Sequence, residues 1–173
     1  MEKVIDSDEL FFIISPPPAI ADHVAFLKSH VRTVIGHGFE DEFSKAHISL
    51  FKYRDQHAEG LLYSIDSKVS SFTPFHVHVK DLNYIDHGTT RTIYLEIVHK
   101  NPICEIFSNI AREDVGFTPR ITIASNLEMN DFMKVWKSLK HLSYSDYFLC
   151  DHITVLKRAP RKWVHYIDLE FAA

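Results

Sequence analysis

Glycine is scarce in this chain: five among 173 residues. That argues against the glycine-rich loops that cradle phosphates in nucleotide-binding folds. Cysteine is scarcer, with Cys104 and Cys150 alone. Their spacing fits no zinc pattern and builds no disulfide framework, so they read as free thiols in a reducing compartment. Long apolar runs are missing as well. The first, Leu10 to Ile14, follows Asp8 and Glu9 and falls far short of the ~18 residues that span a bilayer. No secretory signal is visible, so the expectation is a cytoplasmic protein with no membrane partner. Basic charge is also lacking: 19 Lys and Arg stand against 23 Asp and Glu, a net charge of −4. No overall basic field marks a nucleic-acid surface, although a local cleft can differ from the net.

What is present suits one soluble domain over residues 1–173 with a sizeable core: 46% hydrophobic and 24% charged residues. Aromatics are plentiful, with 13 Phe, 7 Tyr and 2 Trp, and so is histidine, at 12. Numbers alone say nothing of their use; placement must.

Leu10 to Ser15 reads as a buried strand ended by Pro16, Pro17 and Pro18. A helix is predicted from Ala19 to Ile35, with Ile20, His23, Val24, Leu27, Val31 and Val34 near one face and Gly36 and Gly38 closing it. Ala46 to Phe51 alternates, Ile48 and Leu50 on one side, His47 and Ser49 on the other. A weaker helix from Gln56 to Val69 leads to a strand over Phe75 to Leu82, where His76, His78 and Lys80 share the polar face. Then come a strand over Arg91 to Val98, a helix from Ile103 to Arg112, and a strand over Thr118 to Ala124 with Arg120 and Thr122 opposite Ile121 and Ile123. A helix from Met129 to Leu139 and strands over Asp146 to Lys157 and Trp163 to Phe171 complete the chain.

This order is one unit written twice: strand, helix, short strand, helix, long strand. Ala46 to Leu50 superimposes on Pro119 to Ile123 as small residue, polar residue, Ile, hydroxyl, aliphatic. The first helix is longer than its counterpart, so the match needs a gap there. The expectation is an α+β domain of two lobes, about 1–85 and 86–173, with room for terminal strands to be exchanged. Antiparallel sheets would carry helices on their outer faces and enclose a central cleft.

These residues resemble a family. The two-histidine phosphoesterases, which include 2′-5′ RNA ligase-like proteins and cyclic phosphodiesterases, carry two copies of His-x-Ser/Thr-hydrophobic on equivalent strands of two lobes. His47-Ile48-Ser49-Leu50 matches the first copy in full. Phe117-Thr118-Pro119-Arg120-Ile121-Thr122-Ile123 matches the second except that Arg120 stands where the histidine is expected. The resemblance implies the two-lobed fold, a 2′,3′-cyclic phosphate or RNA terminus as partner, and neither metal nor other cofactor. No protein partner is implied.

Opening a cyclic phosphodiester needs a base for the attacking water, an acid for the departing ribose oxygen, and donors for the charged oxygens. Imidazole, with a pKa of about 6.5, serves as either acid or base near neutrality. A hydroxyl two residues later lies on the same strand face about 6–7 Å away. His47, Ser49 and Thr122 are therefore the candidate catalytic residues, and Arg120, Ser49 and Thr122 the candidate phosphate ligands. A guanidinium stays protonated, so Arg120 can clamp a phosphate but not act as a base.

Three readings stay open. Another histidine replaces the missing one, with His76, His78 or His152 as candidates. Alternatively the protein is a degenerate member that binds a nucleotide or RNA end, or the motifs are coincidental in an unrelated α+β binding module. Tyr94, with those three histidines, is a candidate wall of the cleft. Tyr53, Tyr94 and Trp163 could stack on a base, and Lys52, Arg54, Lys157, Arg158, Arg161 and Lys162 could flank an RNA path. Two histidines at 76 and 78 do not make a metal site, and core packing or plain solubility would account equally for many of these residues.

Overall fold

A computed structural model describes residues 8–111 and 116–172. β1 (Asp8–Ile14) is apolar on both faces because both are covered. Leu10, Phe12 and Ile14 join the core beneath the helices, while Phe11 and Ile13 are buried on the opposite face. α1 (Pro18–Ile35) starts with proline in its first turn, where the missing N–H costs nothing. It ends at Gly36, whose φ of 77° is the left-handed value glycine accepts and whose N–H donates to the Arg32 carbonyl.

β2 (Ile48–Asp55), α2 (Ala58–Val69) and β3 (Phe75–Asp86) follow, then β4 (Thr90–Ile97), α3 (Asn101–Ile110), β5 (Arg120–Glu128) and α4 (Met129–Leu139). The sequence places the end of α3 at Arg112, which lies outside the described residues. The long strand expected over Asp146 to Lys157 is two strands, β6 (Ser145–Cys150) and β7 (His152–Arg158), parted at Asp151. β8 (Trp163–Glu170) closes the chain.

All eight strands form one antiparallel sheet in the order β6-β3-β4-β5-β2-β1-β7-β8. The third strand of each repeat pairs in the other half: β3 lies beside β4, and β7 beside β1. One residue separates β6 from β7, yet they occupy distant places in that order. The sheet must therefore curl until its ends approach. Contacts agree, since the Ala172 N–H donates to the Phe72 carbonyl and Phe171 meets both Phe72 and Phe75.

A single core cluster fills the helical side. Ile20, Val24, Leu27 and Val31 of α1, Ile48 and Leu50 of β2, Ile93, Leu95 and Ile97 of β4, and Ile121 and Ile123 of β5 are all buried in it. Helices thus cover the outer face of a curled sheet, and the alternate side chains face inward. In the middle of the sheet β2 and β5 are paired at one position, Ile48 opposite Ile121. That junction positions the site.

Candidate active site

Both motifs sit at the junction of β2 and β5. An antiparallel register through Ile48 and Ile121 sets His47 beside Thr122 and Ser49 beside Arg120. The arrangement is reciprocal. A local two-fold between the isoleucines exchanges His47 with Arg120 and Ser49 with Thr122. Ile48 and Ile121, both fully buried, anchor it from the core side.

A cavity of about 230 Å³ opens here, lined by Ser49, Leu50, Gly116, Phe117, Thr118, Arg120 and Thr122. Four of these offer side-chain hydroxyls or a guanidinium, as a phosphate requires. Arg120 has no ion pair among the described residues. Its cross-strand neighbour Glu96 is engaged by Lys100 and Asn83 instead, and the guanidinium lies 5.8 Å from the centre of the Tyr94 ring. A half-buried guanidinium with no carboxylate partner among the described residues suits bidentate anion binding.

His47 does not line that cavity; its ring stands edge-on to Phe11 at 5.4 Å. Its Nδ1 lies 2.6 Å from the Lys45 carbonyl, which can only accept, so Nδ1 carries the proton and Nε2 the lone pair. Burial is the main cause that lowers its pKa, and the nearby Lys28 and Lys52 ammonium groups push the same way. The Lys45 hydrogen bond and Asp41 oppose them. The imidazole is therefore neutral at pH 7 and equipped as a base.

Stability should follow this. A histidine held below its ordinary value of 6.5 takes up its proton more readily when unfolded. Folding stability should then be complete above about pH 6.5 and decline as pH falls toward the folded value. His23, also lowered by burial, adds in the same sense. Thermal midpoints between pH 7.5 and 5 should fall, and His47→Ala should flatten the slope; an unchanged slope contradicts the assignment.

The remaining candidates are spread along the inward face. Tyr94 pairs with Thr122 across β4 and β5, next to the site. His78 is on β3, two strands beyond β5, stacked on Tyr147 at 4.0 Å and bonded to Ser145 Oγ at 2.8 Å. His76 is exposed two residues before it on the same strand. Ile13 pairs with both Ser49 and Thr154, which carries His152 to the far side of β1 from His47. His152 Nδ1 is 2.7 Å from Asp151 Oδ1. With Glu170 these two form a grouping whose potential ligand atoms lie within 4.8 Å of one another. The contact between His152 and Asp151 accounts for two of its three members.

The sequence reading missed Lys28. Only 4% of it is exposed, and its ammonium donates to the Asp41 carbonyl (2.6 Å), the Ser44 carbonyl (2.9 Å) and Ser44 Oγ (2.9 Å). Asp41 Oδ2 in turn accepts from the Ser125 N–H, and Glu40 from Asn126, both on β5. Lys28 thus ties down the segment that ends in the Lys45 carbonyl and His47. The available signal was a lysine next to Leu27 at the edge of an apolar helix face.

Among solved structures, the chain resembles TT0787 of Thermus thermophilus, with a TM-score of 0.63 at 12% identity, over 93% of this chain and 97% of that one. It resembles E. coli LigT in apo form, with a TM-score of 0.62 at 14% identity, over 96% and 99%. LigT complexed with phosphate matches at 0.58 and 14% identity, again over 96% and 99%. At these identities the likeness shows the fold. No curated protein sequence matches. No helix among the described residues is long and apolar enough to cross a membrane. The family model of the 2′-5′ RNA ligase superfamily matches residues 16–162, most of the chain and both motifs, and the protein belongs to that superfamily.

Proposed function

We propose that this protein binds the terminal phosphate of a nucleotide or RNA end between its two motifs and opens 2′,3′-cyclic phosphates slowly, with one imidazole. The observation that carries this reading is the reciprocal register at Ile48 and Ile121, which turns His47, Ser49, Arg120 and Thr122 toward one junction.

In this reading, Arg120 clamps two phosphate oxygens, while the Ser49 and Thr122 hydroxyls donate to the others. His47, neutral and protonated at Nδ1, takes the proton of the attacking water at Nε2. Among the described residues no acid faces the leaving ribose oxygen from the Arg120 side, since a guanidinium is a very poor acid, so that oxygen takes its proton from solvent and the opening is slow. His152 lies beyond β1, and His78 two strands beyond β5, so neither shares the β2–β5 junction at which His47 and Arg120 stand. E. coli LigT, of the same fold, has been solved with phosphate, 3′-AMP and ATP. That supports a phosphate ligand for this chain. The ligase reaction is the reverse of the same bond chemistry, and nothing in the site favours it over hydrolysis.

Binding is the direct test. A ligand held only by the folded form stabilises it by about 2.7 kcal/mol at 100 times its Kd. Nucleoside 3′-monophosphate should raise the thermal midpoint of the wild type, and Arg120→Ala should remove most of that rise. Equal protection of wild type and Arg120→Ala refutes the clamp. No protection of either refutes the phosphate site.

A further inference from the structure

Beyond the junction, the inward face of the His47 half carries a second cluster. Phe11, 7% exposed, meets His47 on one side and Trp163 on the other, with ring centres 5.4 and 5.3 Å apart. Lys52 Nζ lies 4.9 Å from the Phe11 ring centre and 5.5 Å from that of Trp163. The Arg158 guanidinium lies 5.2 Å from the Trp163 ring. Strand register explains the assembly: Phe11 pairs with Lys52 on β2, and Arg158 with Trp163 across β7 and β8. Arg161 and Lys162, both exposed, continue the basic character into the turn between those strands. The chain as a whole carries a net charge of −4, so this is a local concentration of cations.

We propose that Trp163, flanked by Lys52 and Arg158, is a subsite for the nucleotide next to the phosphate-bearing one, so that the ligand is a single-stranded RNA end rather than a mononucleotide. The proposal rests on the phosphate site proposed above. Proteins that hold single strands combine aromatic rings, on which bases stack, with cations that follow the backbone. Here one aromatic ring, Phe11, separates the stacking ring from the imidazole. Lys52 and Arg158 both lie over the Trp163 ring, so a base that stacks on it displaces one of these flexible cations, which is then free to pair with the phosphate joining two nucleotides. The strand is RNA because a terminal 2′,3′-cyclic phosphate requires the ribose 2′-oxygen.

The test compares lengths. A fluorescein-labelled octaribonucleotide ending in a 3′-phosphate is titrated by anisotropy, with nucleoside 3′-monophosphate as competitor. The octamer should bind at least about ten times more tightly, as one stacked base contributes roughly that much or more. Trp163→Ala should collapse the octamer-to-monomer affinity ratio toward one, and Trp163→Phe should keep most of it. Joint replacement of Lys52 and Arg158 by Ala should lower the salt slope of octamer binding by roughly one to two. Lys134→Ala, on an exposed face of α4, should change neither affinity. If Trp163→Ala lowers the unfolding midpoint, the Phe variant and the double cation variant carry the test. Equal affinity for octamer and monomer, or an unchanged ratio in Trp163→Ala, overturns the subsite while the phosphate site stands. Failure of both ligands to bind overturns both.

Discussion

Arg120→His is expected to raise the rate of 2′,3′-cyclic phosphate hydrolysis by about 10²–10⁴-fold, the usual contribution of one acid or base group. The register through Ile48 and Ile121 gives positions 47 and 120 equivalent places around a local two-fold. A second imidazole would therefore face Ser49 as His47 faces Thr122. Histidine is smaller than arginine, and position 120 is half-buried at the wall of an open cavity, so the substitution creates no clash. The gain should appear in kcat. Binding should weaken at the same time, because an imidazole ring, whatever its charge, lacks the fork that makes the two parallel hydrogen bonds of a guanidinium. A rise in kcat with a rise in KM is therefore the expected signature. His47→Ala in the Arg120→His background should then remove the gained activity. If the wild type is already fast and Arg120→His adds nothing, the single-imidazole reading fails.

The junction itself was legible because it rests on local alternation. Ile48 and Leu50 against His47 and Ser49, and Ile121 and Ile123 against Arg120 and Thr122, state which face of each strand is buried. The duplicated element order then brings the two strands into equivalent places. Where the alternation is interrupted by a single residue, the sequence is silent. Asp151 parts β6 from β7 with no Pro or Gly to mark the break, and only long-range pairing shows that the two strands serve opposite halves. The same non-local pairing decides how far His76, His78 and His152 lie from Arg120, since their polar faces alone do not say which neighbour stands beside them. Lys28 was hidden for a different reason. Its burial depends on two carbonyls and a hydroxyl supplied 13 and 16 residues later by a segment without regular structure. No periodicity announces such partners.

Lys28→Met is expected to reduce stability by about 1–3 kcal/mol, measured by denaturant unfolding, because the Asp41 and Ser44 carbonyls and the Ser44 hydroxyl lose their charged donor. Methionine nearly preserves the volume, so the loss reports hydrogen bonding rather than a cavity. The substitution should also lower hydrolysis at pH 7, through release of the segment from Asp41 to Lys45 whose last carbonyl fixes the His47 tautomer. Charge adds a separate, diagnostic effect. The Lys28 ammonium helps to depress the His47 pKa, together with burial and Lys52 and against Asp41 and the Lys45 hydrogen bond. With that cation gone, the imidazolium is easier to form. As the base must be neutral, the acid limb of the pH–rate profile should move to higher pH. Ser44→Ala removes one acceptor of Lys28 and leaves its charge in place; it should cost stability without moving the limb. If both variants shift the limb equally, or neither does, Lys28 serves only to hold the loop and has no electrostatic part in setting the base.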